Sequence, residues 1–386
     1  MRTYLILQRA ARPRSGDIMT RGVEALGDGG ARPTLAVERL ADAAVAEISR
    51  TPGTSITPVM PTRLIKPMAA EGADGDNWGI AAVGADRSPF DGSGVRVAVL
   101  DTGIDAGHPA FAHVQLEQRD FSGSGDGDRQ GHGTHCAGTI FGHIEGHRIG
   151  VAPGISKALI GKVLGDDGRG SSEMVFNALH WSIEQRVHVI SMSLGFDFPG
   201  MVEEYVADGW PPALATSVAL EAYRGNLRMF DAIMGEVRAR GAFGTSPIVV
   251  AAAGNESKRQ DDPNYRIAAA LPAAADDVIS VAALRQSGER LAVADFSNTL
   301  AVLSAPGQAI LSARSGGGLT ALSGTSMACP HVAGIAALWW QKLGPNSKSS
   351  AVAARLRASC RMEGLVAPAD PADVGEGLVQ APSGEA

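Results

Sequence analysis

Three residues that could cooperate in nucleophilic catalysis stand in glycine-rich contexts along the chain: Asp101, His132 and Ser326. Asp101 directly follows the apolar run VRVAVL, in the string VAVLDTGID. A carboxylate at the carboxyl end of a strand can be fixed by turn N–H groups and can accept a hydrogen bond from a histidine. His132 lies in GHGTHCAG, between two glycines and ahead of an apolar helical stretch. Ser326 lies in SGTSMACPHVAGIAALWW. A serine in the first turn of a helix gains from the N-terminal dipole, which favours developing negative charge. The apolar AGIAALWW that follows requires that helix to be buried. A fourth residue, Asn255, ends IVVAAAGN, where its side-chain amide could donate to an oxyanion.

Each of these residues has a plainer reading when taken alone: a turn aspartate, a helix-start histidine, a loop serine, an asparagine in a Gly-Asn turn. His135, one helical turn past His132, reads as a packing residue. Cys136 and Cys329 read as small buried core residues.

The elements that must position these residues follow from hydrophobic pattern. Apolar runs of strand length occupy residues 95–100, 187–192, 248–252 and 278–281, with helical stretches at 133–142, 172–185 and 213–240. Fully apolar strands alternating with helices imply a parallel sheet covered on both faces. Ligands in such sheets bind at the carboxyl ends of strands, where Asp101 and Asn255 stand.

Five blocks, VAVLDTGID, GHGTHCAG, SMSLG, AAAGNE and SGTSMACPHVAG, occur in the order in which the subtilase family carries its signatures. The sequence over about residues 78–365 therefore resembles that family, and Asp, His, Ser is the chain order of subtilisin. The resemblance implies an α/β, three-layer subtilisin-like fold, a mostly parallel sheet with helices on both faces. It implies a serine endopeptidase that passes through an acyl-enzyme. Ser326 would attack, His132 would act as base and then acid, and Asp101 would orient the imidazole. Asn255 and the Ser326 backbone N–H would stabilise the oxyanion. Ser193, Leu194 and Gly195 look like the strand edge that pairs with an extended substrate. Ala252, Ala253 and Gly254 would wall the primary pocket, and Ala270 at its far end would make it shallow, for small or medium apolar residues. Glu256, at the rim, could draw in a basic residue. A narrow processing enzyme that matures one partner is the alternative. An interaction module that lost activity is disfavoured, since the triad is complete.

The chain departs from the family pattern in places. Where secreted members carry a calcium-ligating aspartate, HPAF places Ala110, and the loop after the histidine helix is short. No metal or other cofactor is therefore expected. Asp126 and Asp128 have a spacing that calcium loops use, but read better as a solvated turn. Residues 196–245 form an insert, expected beside the cleft as a lid or exosite. Residues 1–75 read as an N-terminal segment similar to an inhibitory pro-region: a strand at 3–7, a helix at 35–48, an extended stretch at 54–65 and a linker at 71–77. A self-cut would fall near 68–77. The peptidase domain would span 76–367, and 368–386 would be a flexible tail.

The formal charge of −7 argues against nucleic acid or an anionic membrane as partner, and the resemblance implies protein or peptide substrates. Three cysteines make no disulfide framework, and no leader or membrane-length apolar run is seen. A cytoplasmic protein is expected, with secretion left open.

Overall fold

The computed structural model describes residues 2–8, 34–70, 77–241, 246–344 and 347–384. The chain divides into two units, Met1–Met60 with Phe198–Ile233, and Pro61–Asp197 with Met234–Ala386.

In the first unit β1 (Arg2–Gln8) is flanked by β2 (Thr34–Leu40) and β3 (Thr54–Pro58), both antiparallel to it. Tyr4, Leu5, Ile6 and Leu7 of β1 are all buried. The helix expected over 35–48 is only half present. Residues 34–40 pair with the whole of β1, and α1 (Asp42–Ile48) retains helix with no buried residue. Seven cross-strand partners outweigh a helical spacing that had no face to cover. α5 (Phe198–Ala207) and α6 (Pro212–Gly241) follow in the inserted segment. Asn226 of α6 donates through Nδ2 to Thr57 Oγ1 at 3.1 Å and to Pro58 O at 2.9 Å. So residues 198–233 of the insert belong with the N-terminal sheet, and the boundary expected near 75 falls at Met60. Residues 71–76, read as a linker, lie outside the described residues.

The second unit is built on a sheet in the order β14-β13-β12-β10-β6-β8-β7, with β15 also pairing β13. Its strands are β6 (Arg96–Asp101), β7 (Gln115–Asp120), β8 (Lys157–Lys162), β10 (Val189–Met192), β12 (Ile248–Ala252), β13 (Val278–Ser287), β14 (Arg290–Val293) and β15 (Leu303–Pro306). Every pairing is parallel except β13 with β14. The continuous burial of β10 and β12 explains their unbroken apolar sequence. Helices α3 (His132–Phe141), α4 (Ser172–Glu184) and α7 (Thr325–Leu343) pack around this sheet, and α3 and α7 also pack on each other. α2 (Trp78–Ala82) and α8 (Ser349–Ala358) complete the helices nearby.

Two small sheets complete the second unit. β4 (Pro61–Leu64) runs antiparallel between β11 (Leu194–Phe196) and β9 (Arg169–Ser171). β5 (Met68–Ala69) pairs with β17 (Leu319–Ser323), which also pairs with β16 (Ile310–Ala313). No helix among the described residues is long and apolar enough to cross a membrane.

The C-terminal stretch read as a flexible tail is instead packed through residue 382. α9 (Pro371–Val374) forms, Asp373 pairs with Arg259 at 2.6 Å, and Leu378 bridges Ser304. Val374, Leu378 and Val379 are buried in the main core. The Pro and Gly content set turns, as expected, but the apolar residues between the turns dock.

Burying three aliphatic side chains stabilises by about 1.5–3 kcal/mol each. Ending the chain after Ala367 should therefore lower the melting temperature by about 10 °C or more. Thermal melts of the two chains check this; equal melting temperatures would return the segment to the status of a tail.

Candidate active site

Asp101 closes β6 and is fully buried. Its Oδ1 accepts from Thr102 N at 2.8 Å and faces His132 Nδ1 at 2.8 Å. His132 opens α3. The next residue must be glycine, because a Cβ at Gly133 would lie 2.2 Å from Gly103 O. That absence lets the helix start press against the turn after β6 and brings ring and carboxylate together.

A second buried carboxylate locks this junction. Asp128 accepts from Thr102 Oγ1 at 2.9 Å, Gly131 N at 2.7 Å, Thr134 N at 2.8 Å and Thr134 Oγ1 at 2.6 Å. Thr102 Oγ1 in turn accepts from Gly133 N at 2.9 Å. The turn after β6 and the first turn of α3 are thereby tied to one charge. The solvated turn expected for Asp128 is thus corrected: it is 5% exposed, because the glycine-rich loop folds it inward.

Ser326 is the second residue of α7 and is fully buried. Its Oγ donates to Ile65 O at 3.4 Å and to Ser193 O at 3.5 Å, while His132 Nε2 has no hydrogen-bond partner among the described residues. Asn255 follows the end of β12. Its Oδ1 accepts from Thr325 N and Thr325 Oγ1, both at 2.9 Å, which turns its Nδ2 outward to Lys66 O at 3.1 Å.

Residues 61–69 run through this site. Arg63 pairs with Gly195 on one side and Arg169 on the other, and Leu64 N donates to Gly168 O at 2.9 Å. Ile65 is buried, its side chain beside Gly195. Beyond Pro67, Met68 and Ala69 pair with Ser323 and Leu322. Of the window 68–77, expected to hold a self-cut, Met68 and Ala69 pair with β17 and residues 71–76 lie outside the described residues, while the carbonyl oxygen that faces Ser326 Oγ is that of Ile65 and the one that meets Asn255 Nδ2 is that of Lys66.

The structure thus brings Ser326, Asn255 and the 193–195 stretch together around one segment, and the Asp101–His132 pair meets Ser326 through Cys136, whose Sγ lies 3.8 Å from His132 Nδ1 and 3.4 Å from Ser326 O. Ala252, Ala253 and Gly254 end β12 beside it, and Gly254 N donates to Thr325 Oγ1 at 3.1 Å. Ala253 packs with Ala282 and Ala301. Ala270 makes only a local turn, its carbonyl accepting from Ala274 N at 3.1 Å, whereas the carbonyl of its neighbour Leu271 accepts from Phe196 N at 3.0 Å. Sequence reasoning missed Asp128, Thr325 and β9. The string DRQGHGTH carried the first as an acid one turn ahead of the histidine; the other two had no local signal.

The nearby thiols are not nucleophiles. Burial pushes Cys136 well up and Cys329 up to about 11, so both stay protonated. Cys136 Sγ instead donates to Ser326 O at 3.4 Å. His135 is fully buried with Nε2 2.9 Å from Ile310 O, a packing role as read from the sequence.

Residues 92–372 match the Subtilase family. The chain belongs to the subtilase family. It is 35% identical over 259 residues to an intracellular serine protease of Paenibacillus polymyxa, covering 64% of this chain and 67% of that one. It is 33% identical over 259 residues to the major intracellular serine protease of Bacillus subtilis (strain 168), covering 64% and 68%. Subtilisin DY of Bacillus licheniformis is 32% identical over 289 residues, 73% of this chain and 90% of that protein. This subtilase is accordingly a subtilisin-like serine endopeptidase acting on protein or peptide chains.

Three buried histidines give the subtilase an acid-labile interior. Burial lowers His135 to about 3 and His188 and His331 to about 4, from an ordinary 6.5. The folded chain keeps them neutral where the unfolded chain takes up protons, so stability falls as pH drops from about 6.5 towards 4. The lowered carboxylates Asp91, Asp120 and Asp370, with an ordinary value of 3.8, act only below that window. The melting temperature should fall steadily between pH 7 and pH 4.5; a flat profile there would mean these histidines protonate in the folded state.

Proposed function

We propose that Ser326 is the nucleophile of this endopeptidase, His132 its base, Asp101 the residue that orients the imidazole, and Asn255 with the Ser326 N–H its oxyanion donors. One observation carries this reading. An extended segment of the chain itself lies antiparallel between β9 and β11 and brings the carbonyl oxygen of Ile65 to 3.4 Å from Ser326 Oγ and that of Lys66 to 3.1 Å from Asn255 Nδ2, so that a peptide backbone occupies the space between the two groups. With a substrate in that seat, Ser326 Oγ turns to the free His132 Nε2 and gives up its proton as it attacks. The imidazolium is held by Asp101 and returns the proton to the leaving amine. The charge that forms on the carbonyl oxygen is met by Asn255 Nδ2, already aimed by Thr325.

The same observation supports a latent chain. Residues 61–69 fill the seat, so access requires their release. The N-terminal segment then acts as the in-chain inhibitor expected of a pro-region, with its blocking strand inside the second unit. Ile65 against Gly195 supports a preference for aliphatic residues before the cut bond. Two relatives that are intracellular serine proteases support a cytoplasmic enzyme. Catalysis without a tight calcium ion is supported by Ala110, whose buried methyl offers no oxygen ligand.

Fluorophosphonate labelling and casein digestion test the proposal. Ser326→Ala should abolish both. Asn255→Ala should keep labelling but slow kcat by about 10²–10³, the scale set by the corresponding amide of subtilisin itself. Ile65→Glu should speed labelling about tenfold by driving residues 61–66 from the seat, since burying an unpaired carboxylate costs several kcal/mol. Wild type labelling as fast as Ile65→Glu would end the latency claim. Chelation should leave the melting temperature unchanged.

A further inference from the structure

We propose that Asp197 and Glu256 form an acidic subsite that selects arginine or lysine two residues before the cleaved bond's carbonyl residue, the P3 position. The inference rests on the reading that residues 61–66 lie as a substrate lies. Ile65, whose carbonyl faces Ser326, then occupies P1, Leu64 P2 and Arg63 P3.

Arg63 spans both acids, with Nη1 3.1 Å from Asp197 Oδ1 and Nη2 3.6 Å from Glu256 Oε1. The two carboxylates reach it from different elements. Asp197 follows β11, the strand that pairs with the occupant, and its backbone N donates to Pro61 O at 3.0 Å. The pairing that registers the occupant's backbone therefore also places this carboxylate. Glu256 follows Asn255 and is held ahead of any ligand. Buried Asn298 donates through Nδ2 to Glu256 Oε2 at 2.7 Å and accepts from Glu256 N at 3.1 Å. This leaves Oε1 for an incoming cation. A fork of two donors bridging two fixed acids favours guanidinium over ammonium. Glu256 was read from the sequence as a rim acid able to attract a basic residue. It does so at residue 63, not at residue 65, because the apolar Ile65 lies against Gly195 while Arg63 stays 42% exposed at the rim.

The partial exposure bounds the effect. Ion pairs of this kind support about a five- to tenfold preference across two carboxylates. The test uses the full chain, with rates per fluorophosphonate-titrated Ser326, on fluorogenic peptides Pro-Thr-X-Leu-Ile in which X is arginine, alanine or glutamate. Arginine should exceed alanine by about five- to tenfold in kcat/KM, glutamate should fall below alanine, and salt near 1 M should compress the series. Asp197→Asn combined with Glu256→Gln should level it. As a second readout on the chain itself, Arg63→Glu should speed labelling of Ser326, and that gain should vanish in the double variant. A chain that labels and digests casein yet treats the three peptides alike, or a double variant that keeps the preference, overturns the subsite alone. A chain that neither labels nor digests casein, as wild type and as Ile65→Glu alike, overturns the endopeptidase reading beneath it.

Discussion

A carboxylate taken out of water must be compensated by donors, and the site hangs on two such carboxylates within a few residues of each other in space. An uncompensated buried charge costs several kcal/mol, so the fold has to bring donors to it. Asp101 receives Thr102 N and His132 Nδ1. Asp128 receives two backbone N–H groups and two hydroxyls. Thr102 serves both, by its N–H to Asp101 and its hydroxyl to Asp128. Placing one carboxylate therefore fixes the geometry of the other, with both donors of Asp101 on Oδ1 and its Oδ2 without a hydrogen-bond partner among the described residues. The end of β6, the loop before α3 and the start of α3 cannot shift independently, and the imidazole is aimed before any ligand arrives.

The second constraint is on edges. β9 and β11 would each present unpaired backbone groups, which proteins seldom leave open. A single strand, β4, satisfies both at once. Recognition of this kind draws affinity from main-chain bonds and leaves preference to the side chains that point away alternately. Thr62 and Leu64 are buried while Arg63 is partly exposed, as period two requires. Selectivity by charge is consequently confined to odd positions at the rim, and by shape to what fits against Gly195.

The sheet strands and the helices around them were legible because burial on both faces leaves long apolar runs, as in IVVAA and VISM. Asp101, His132, Ser326 and Asn255 stood out because each sits near where an element begins or ends, in glycine-bearing strings that tight approach demands. What was illegible depended on tertiary partners. Residues 35–40 have helical spacing but pair with β1 across a chain gap that pattern cannot measure. The insert's helix α6 reads as amphipathic without saying that Thr57 and Pro58 will take Asn226. The C-terminal stretch has the composition of a tail, and its three docked aliphatics are too sparse to form a periodic signal. Asp128 looked like a solvated loop acid because a loop's inward fold has no local signature.

Binding a chain and cutting it are separable at this site by the displacement of one carbonyl. Interactions equal in the ground and transition states do not speed the chemical step. Backbone pairing of residues 61–64 is of that kind. The transition state additionally needs nucleophile and oxyanion donor on the same carbonyl. Here Ser326 Oγ faces the oxygen of Ile65, while Asn255 Nδ2 holds the oxygen of Lys66, one residue on and followed by Pro67. Attack at Ile65 in this arrangement would develop its charge without the Asn255 amide, a deficit of about 3–4 kcal/mol on the scale of subtilisin. On the proposed roles, the occupant keeps the backbone pairing a substrate would make, while the Asn255 amide reaches the carbonyl one residue beyond the one that faces Ser326. A segment that dwells in the seat and one that is hydrolysed there thus differ less in affinity than in which oxygen the asparagine reaches.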